Sequence, residues 1–173
     1  MKNIYRVEDI KELCEEAASD NHRNAENYKY EKMKKRWDKY LRFHVLEDDG
    51  KPVAMGGIVK FGYDIVRICD RYCTFRSYRR FGINKFIKKN IRFCAEHFVP
   101  VQTKWAVDND FQPFISMSGE VDKTYSIKRF MEYFDPRWKY QLLPDLYLTC
   151  DRENPKCHQH IITNSDTIEL PRV

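Results

Sequence analysis

The sequence predicts an α+β (mixed α/β) domain with a twisted, mostly antiparallel central sheet of about seven strands and flanking helices. Two observations predict this class. Segments with apolar residues at helical spacing interrupt segments in which apolar and polar residues alternate, which is the period of a half-buried strand. An Asp49-Gly50 pair also joins two alternating segments, and Asp-Gly suits the positive φ angles of a tight hairpin turn.

Composition limits the class of protein further. The 173 residues suit one domain, and 14% aromatic residues exclude a disordered chain. A net charge of +5 permits an anionic ligand or nucleic acid but requires neither. No apolar run approaches the roughly 20 residues of a membrane span, and no apolar N-terminal signal is visible. We therefore expect a cytoplasmic protein without a membrane partner, whose six cysteines are mostly reduced core residues.

The first part of the chain contains two predicted helices and four predicted strands. Ile10 and Cys14 lie at helical spacing, and so do Tyr30 and Met33, whereas residues 41–45 alternate between apolar and polar. The predicted elements are a strand over 3–7, helices over 10–17 and about 24–40, and strands over 41–45, 52–60 and 65–75.

The rest of the chain is predicted from the same two periods. Alternation of Val99, Val101, Thr103, Trp105 and Val107 predicts a strand. The elements are a helix over 83–97, a strand over 99–107, an irregular segment over 108–123, a helix over 127–134, strands over 138–142 and 146–150, and a polar C-terminal tail over 151–173. Helices thus interrupt a strand series that is largely antiparallel.

The junction between the strand over 65–75 and the following helix has an unusual charge. Its sequence over residues 77–86 is SYRRFGINKF, and no Asp or Glu occurs from Arg71 to Ala95, where eight Lys and Arg residues lie. A helix N-terminus presents unpaired N–H groups, and a glycine such as Gly82 lets a phosphate approach the backbone. The stretch is therefore either a solvated basic face or a phosphate cradle.

Residues 78–84, Tyr-Arg-Arg-Phe-Gly-Ile-Asn, resemble the signature of the GNAT N-acetyltransferase superfamily, Arg/Gln-x-x-Gly-x-Gly/Ala. Asn84 stands where that family usually carries Gly or Ala. The order of predicted elements is similar to the family's as well, over about residues 3–150. The resemblance implies a GNAT-like acyltransferase domain over 1–150, followed by the polar C-terminal tail over 151–173.

The resemblance also implies a cofactor site. Acetyl-CoA would lie between the fourth and fifth strands, with its pyrophosphate on the backbone N–H groups of residues 80–84 and its pantetheine arm along residues 73–75. Asn109 matches a cofactor-contacting position after the fifth strand. The cofactor-binding residues expected on this basis are Cys73, Thr74, Phe75, Arg79, Arg80, Phe81, Gly82, Ile83, Asn84, Lys85 and Asn109.

The implied reaction is transfer of an acetyl group from acetyl-CoA to an amine, which needs a general base and a general acid. The candidate base is Asp70, and the candidate acid is Tyr133, with Tyr125 second. Asp70 lies between Arg67 and Arg71 and is alternatively an ion-pair partner. Tyr133 is alternatively a residue at the edge of the core, and the family's usual Tyr-x-x-x-Gly-Phe pattern is absent.

Two other functions stay open on the sequence alone. Basic residues interleaved with Tyr30, Trp37, Tyr40, Tyr78 and Phe81 suit a nucleic-acid-binding module, although the first three also fit a helical apolar stripe. A GNAT fold without catalysis would instead serve as a binding scaffold. The amine acceptor, whether small molecule, protein or modified nucleic acid, is undetermined, and a homodimer is left open.

Two cysteines and two histidines near the C-terminus are of types that bind metal ions. Cys150, Cys157, His158 and His160 follow the spacing Cys-x6-Cys-His-x-His, which matches no compact zinc pattern. The sequence therefore predicts no metal site.

Overall fold

The structure is a computed structural model that describes residues 1–19, 25–75, 93–120, 139–143 and 157–163. These residues fall into two compact units. Unit one comprises Met1–Lys60 with Cys69–Cys94, and unit two comprises Phe61–Ile68 with Ala95–Val173.

Unit one contains the N-terminal helices and the hairpin that the sequence predicts. Its elements are β1 (Lys2–Ile4), α1 (Lys11–Ser19), α2 (Tyr30–Lys35), β2 (Tyr40–Asp48), β3 (Lys51–Lys60) and the second half of β4 (Ile65–Thr74). Within this unit the strand order is β1-β2-β3-β4. β1 pairs with β2 and β2 pairs with β3, both antiparallel, with Phe43 opposite Gly57. The predicted first strand, first helix, hairpin and long fourth strand are confirmed.

The turn between β2 and β3 has the backbone that its sequence predicts. Asp49 has a φ angle of 49° and Gly50 one of 72°, so both central residues lie in the left-handed region. Two such residues make the mirror-image turn whose twist matches that of the paired strands. This turn fixes Asp48 opposite Lys51 and so sets the register of the hairpin.

The core of unit one lies between the helices and the hairpin. Ile10, Cys14 and Met33 from the helical segments are fully buried with Phe43 and Phe75. Burying a side chain of this size contributes about 1.5–3 kcal/mol relative to leaving it exposed. The apolar residues at helical spacing therefore pack where the sequence predicts.

The second predicted helix, over about 24–40, is wrong as one continuous element. The structure has a 3₁₀ turn at Ala25–Tyr28, the short α2, and a second 3₁₀ turn at Trp37–Lys39. Lys29, with a ψ angle of 136°, and Arg36, with a φ angle of −119°, depart from helical geometry between them. Arg36 and Tyr40 therefore flank the second 3₁₀ turn, and both contact Asp70 of β4.

Unit two contains a helix and the remaining strands. The helix begins with a π-turn at Cys94–Phe98, whose first residue belongs to unit one, and continues as α3 (Val99–Asp108). The strands are the first half of β4, β5 (Gln112–Glu120), β6 (Lys139–Leu143) and β7 (Cys157–Thr163), in the order β4-β5-β7-β6. β5 is parallel to β4 and antiparallel to β7, and β7 is antiparallel to β6.

The strand predicted over 99–107 is wrong, because these residues form α3. Its buried residues, Val99, Gln102 and Ala106, recur at helical spacing, whereas Val101 and Val107 are exposed. Pro100 is tolerated because it lies in the first turn, where its missing N–H costs no hydrogen bond.

Strand positions after α3 differ from the prediction as well. β5 lies within the segment predicted to be irregular, so that prediction is wrong at those residues. β7 lies within the polar C-terminal segment, where no strand was predicted. β6 confirms the strand predicted over 138–142. The predicted helix over 127–134, the strand over 146–150 and most of the helix over 83–97 lie outside the described residues.

In the part of the chain that the structure describes, seven strands with mostly antiparallel pairing, together with the helices, confirm the predicted α+β class. Among the residues that the structure describes, no helix is long and apolar enough to cross a membrane.

Candidate active site

The structure describes five of the residues that the sequence singles out as a site. Asp70, Cys73 and Thr74 lie on the second half of β4, Phe75 follows it, and Asn109 ends α3. The remaining predicted residues, Arg79, Arg80, Phe81, Gly82, Ile83, Asn84, Lys85, Tyr125 and Tyr133, lie outside the described residues.

Asp70 is a buried carboxylate with two described partners. Its side chain is 0% exposed, and Oδ2 accepts a hydrogen bond from the Tyr40 hydroxyl at 2.6 Å. The same oxygen lies 3.0 Å from Nη2 of Arg36, whose side chain is 25% exposed. A buried charge is tolerated when a cation and hydrogen-bond donors compensate its desolvation. These contacts correspond to the ion-pair interpretation of Asp70, with Arg36 as a cationic partner.

Tyr40 acts only as a donor in this cluster. Burial raises the pKa of Tyr40 well above its ordinary value, and the negative charge of Asp70 adds to the effect. The phenol therefore keeps its proton at any physiological pH. A protonated phenol and a guanidinium on one carboxylate oxygen form short, charge-assisted hydrogen bonds, which are stronger than neutral ones.

β4 is irregular on both sides of Asp70. Cys69 has a φ angle of 56° and Arg71 one of 52°, so two residues with side chains adopt the left-handed region within a strand. That conformation costs about 1–2 kcal/mol for each residue other than glycine. Such a conformation persists only where surrounding contacts hold it. The hydrogen bonds to Asp70 are contacts of this kind.

A glycine on β3 makes room for the Tyr40 ring. A Cβ atom placed on Gly57 would lie 2.5 Å from Cδ1 and 2.6 Å from Cε1 of Tyr40, and 2.7 Å from Cδ2 of Phe43. Carbon atoms in ordinary contact lie 3.5–4.0 Å apart, so no side chain fits there. Gly57 thus admits the ring whose hydroxyl reaches Asp70. We call this absence of a side chain the Gly57 notch.

The residues that follow Asp70 are held by backbone contacts. The Phe75 N–H donates to the Val53 carbonyl of β3 at 2.9 Å, and the Tyr28 hydroxyl donates to the Tyr72 carbonyl at 3.0 Å. Burial raises the pKa of the Cys73 thiol, which keeps it protonated and unreactive. Another cysteine of β4, Cys69, lies with its Sγ atom 3.6 Å from Sγ of Cys94 at the start of the π-turn.

Asn109 is not placed as the resemblance implies. It lies at the C-terminal end of α3, before the fifth strand, and its Nδ2 donates to the Trp105 carbonyl at 2.8 Å. The resemblance places Asn109 directly after a strand over 99–107, but residues 99–107 are helical. That reason for expecting a cofactor contact at Asn109 is therefore wrong.

Sequence reasoning missed Arg36, Tyr40 and Gly57, which surround Asp70. Tyr40 fits a helical apolar stripe in the sequence, and Arg36 is one of many cations. One signal was available, because a glycine inside a buried strand often marks a close approach of another group. Gly57 has that position, but nothing in the sequence indicates which group approaches it.

Comparison with known proteins identifies the fold. No protein-family model matches the chain, and no curated protein matches it. Among solved structures, a GNAT-family acetyltransferase from Bacteroides thetaiotaomicron has a TM-score of 0.56 at 11% identity, covering 96% of this chain and 89% of the other. The aminoglycoside 6'-N-acetyltransferase from Enterococcus faecium has a TM-score of 0.57 at 11% identity, covering 97% and 98%.

A third similar structure is the PaiA N-acetyltransferase from Thermoplasma acidophilum in complex with coenzyme A. Its TM-score is 0.52 at 11% identity, with 93% of this chain and 98% of the other covered. The chain therefore has the GNAT fold, which confirms the fold that the resemblance implies.

Proposed function

We propose that the protein is an acyl-CoA-dependent N-acyltransferase that moves an acetyl group from acetyl-CoA to an amine by direct attack in a ternary complex. The observation that carries this proposal is the likeness of 93–97% of the chain to three acetyltransferase structures. One of them is a complex with coenzyme A, which supports acetyl-CoA as the cosubstrate. Because one fold hosts several functions, the proposal requires a direct test.

The reaction needs few groups from the protein. The amine nitrogen attacks the thioester carbonyl, the C–S bond breaks, and the departing thiolate takes a proton. We assign the proton donor to Tyr133, with Tyr125 as the second choice. The N–H of Thr74 would polarise the carbonyl. Each of these assignments follows from the resemblance to GNAT enzymes.

Asp70 is the strand-four carboxylate that the resemblance makes a candidate base. Its complete burial and its contacts with Tyr40 and Arg36 favour a role in holding β4 over direct contact with an amine. A base must come within hydrogen-bond reach of the proton it removes, directly or through one water. We therefore assign the proton of the ammonium to solvent or to a group outside the described residues.

The cofactor would meet β4 at its end. The Phe75 N–H already donates to Val53, so strand-like pairing with the pantetheine arm would fall on the backbone before Phe75. The pyrophosphate would lie on the N–H groups of residues 80–84, with Arg79 and Lys85 beside it. Placing an anion there agrees with the one-sided positive charge of the sequence from Arg71 to Ala95.

A calorimetric titration with acetyl-CoA tests the proposal. Gly82→Glu adds a carboxylate to the proposed phosphate cradle and should abolish binding. Gly62→Glu is the matched control, because a Cβ at Gly62 meets its nearest atom at 3.7 Å, an ordinary contact. GTP is the control ligand, since it is an anionic nucleotide without a pantetheine arm.

Saturable binding by the wild type and by Gly62→Glu, lost in Gly82→Glu and weak for GTP, would support the proposal. Release of free thiol in the presence of an amine panel, including an aminoglycoside and a polyamine, would then identify the acceptor class. Absence of acetyl-CoA binding by the folded wild type would overturn the proposal.

Nucleic-acid binding gains no support from the rings of Tyr30 and Tyr40. Tyr30 is buried in the core of unit one, with the amines of Lys11 and Lys34 at 5.6 and 6.0 Å from its ring centroid. Tyr40 is occupied by its contacts with Gly57 and Asp70. Bases stack on exposed rings, which these two do not offer.

A further inference from the structure

We propose that Arg36, Tyr40 and Gly57 are positioning residues that hold the irregular part of β4, through Asp70, in the geometry that acetyl-CoA binding requires. The proposal rests on the proposed function, because it names residues that would support the same cofactor site. We call Arg36, Tyr40 and Asp70 the Asp70 brace.

The brace acts at the place where β4 most needs support. Asp70 lies between Cys69 and Arg71, the two residues of the strand in the left-handed region. Its side chain is completely buried, so its orientation is set by protein contacts rather than by water. Both of the hydrogen bonds described for it end on Oδ2, which fixes one carboxylate oxygen from two directions.

Both donors come from one short segment of chain. Arg36 ends α2, and Tyr40 begins β2 after a single 3₁₀ turn. The Tyr40 ring contacts Phe43 edge-on, with ring centroids 5.0 Å apart, and lies 5.6 Å from the ring of Trp37. The ring also fills the Gly57 notch. The phenol therefore cannot leave Asp70 without disturbing the core of unit one.

The brace and β3 together hold the two ends of a short stretch. Asp70 is fixed by Arg36 and Tyr40, and Phe75 is fixed by its hydrogen bond to Val53. Between them lie Cys73 and Thr74, whose backbone the resemblance places beside the pantetheine arm. Backbone groups that bind a ligand are effective when they are held in position before it arrives. Loosening the brace should weaken cofactor binding although no brace residue touches the cofactor.

The test uses full-length variants and two measurements. Tyr40→Phe keeps the ring and removes the hydroxyl, and Tyr63→Phe is the matched control because that side chain is 94% exposed. Hydrogen exchange of backbone amides reports the mobility of residues 69–75, and calorimetry reports the dissociation constant for acetyl-CoA. If Tyr40→Phe does not fold, the same two measurements are made on Arg36→Lys, which keeps the positive charge but changes the geometry of the contact with Asp70.

We expect Tyr40→Phe to raise the dissociation constant about tenfold and to speed exchange in residues 69–75, with exchange in the β2–β3 hairpin unchanged. Tyr63→Phe should behave as the wild type. Unchanged affinity and exchange in a folded brace variant would overturn the positioning role alone. Failure of the wild type to bind acetyl-CoA would overturn the proposed function, and the positioning role for the cofactor with it, so the two failures are distinguishable.

Discussion

The Sγ atom of Cys94 lies 3.6 Å from the Sγ atom of Cys69, so the thiol at the start of the π-turn donates a weak hydrogen bond to a thiol on β4. The two belong to elements that are far apart in sequence but share unit one. Cys69 is next to Asp70 and has one of the two left-handed backbones of the strand.

This proximity predicts disulfide formation by a mild oxidant. Diamide should take one hydrogen from each thiol and join Cys69 to Cys94, detectable as a cross-linked peptide by mass spectrometry. Burial raises the pKa of Cys94, so little thiolate exists near neutral pH and the reaction should be slow and should accelerate as the pH rises.

Cys94→Ser provides the control for that prediction, because it removes the partner thiol and should leave Cys69 without an intramolecular disulfide. Cys14 is fully buried, so it should stay unmodified in the native protein. A disulfide formed mainly by Cys14 would contradict the prediction.

Filling the Gly57 notch should destabilise the protein. Gly57→Ala places a methyl group within 2.7 Å of ring atoms of Tyr40 and Phe43 unless those rings move. Overpacking of this kind costs roughly 1–3 kcal/mol in the free energy of unfolding, measurable by denaturant titration. Gly62→Ala, whose added Cβ meets only ordinary contacts, should change the free energy of unfolding far less. Equal effects of the two substitutions would contradict the notch.

Removing the charge of Asp70 should be costly, because Arg36 would lose its buried partner. We expect Asp70→Asn to lower the free energy of unfolding by about 3 kcal/mol, as in other buried ion pairs that lose one member. Asp108→Asn is the comparison, since Asp108 pairs with Lys104 at 2.7 Å while its side chain is 54% exposed. An exposed pair four residues apart on a helix contributes about 0.5 kcal/mol or less. Similar losses in the two variants would argue against a buried ion pair.

A buried histidine should make stability depend on pH. Burial, followed by the nearby charge of Arg42, lowers the pKa of His44 on β2 to about 4. In the unfolded chain this histidine binds a proton as the pH falls below about 6.5. In the folded protein it binds that proton only as the pH falls to about 4. The unfolded state therefore gains stability as the pH falls through that window.

His44→Gln should remove this contribution. Between pH 7 and pH 5 the free energy of unfolding of the wild type should fall by about 2 kcal/mol more than that of the variant, by denaturant titration at each pH. Parallel losses in the two proteins would show that His44 does not carry the effect.

Local patterns predicted much of unit one. The hairpin was predictable because Asp49 and Gly50 determine the turn within a few residues, and the alternation of β2 needs no distant partner. Helix α3 was mistaken for a strand because its apolar residues alternate by chance. Val101 and Val107 contribute to the alternation although both are exposed, and Gln102 does not contribute to an apolar helical pattern because it is polar, although it is buried.

The missed strands have a different cause. Residues 157–163 are rich in polar groups, yet β7 lies between β5 and β6 and takes its conformation from pairing with both. Pairing partners of this kind are distant in sequence, so periodicity within the segment does not reveal them.

The candidate site was predictable only as far as single residues. Asp70 was noted as a charged residue on β4, and its position on the strand is confirmed. Two of its partners, Arg36 and Tyr40, lie far earlier in the chain, at sequence separations of 34 and 30. A single sequence carries no information about which distant residues meet, so the brace became visible only in the structure.

The Gly57 notch also constrains how this protein can diverge. Because a side chain at position 57 and a large ring at position 40 exclude each other, the two positions should change together in descendants of this sequence. Lineages that keep the phenol should keep the glycine, and lineages with a side chain at position 57 should carry a smaller residue at position 40. Both mutational orders pass through a less stable intermediate, which is overpacked in one order and lacks the Tyr40 hydrogen bond to Asp70 in the other.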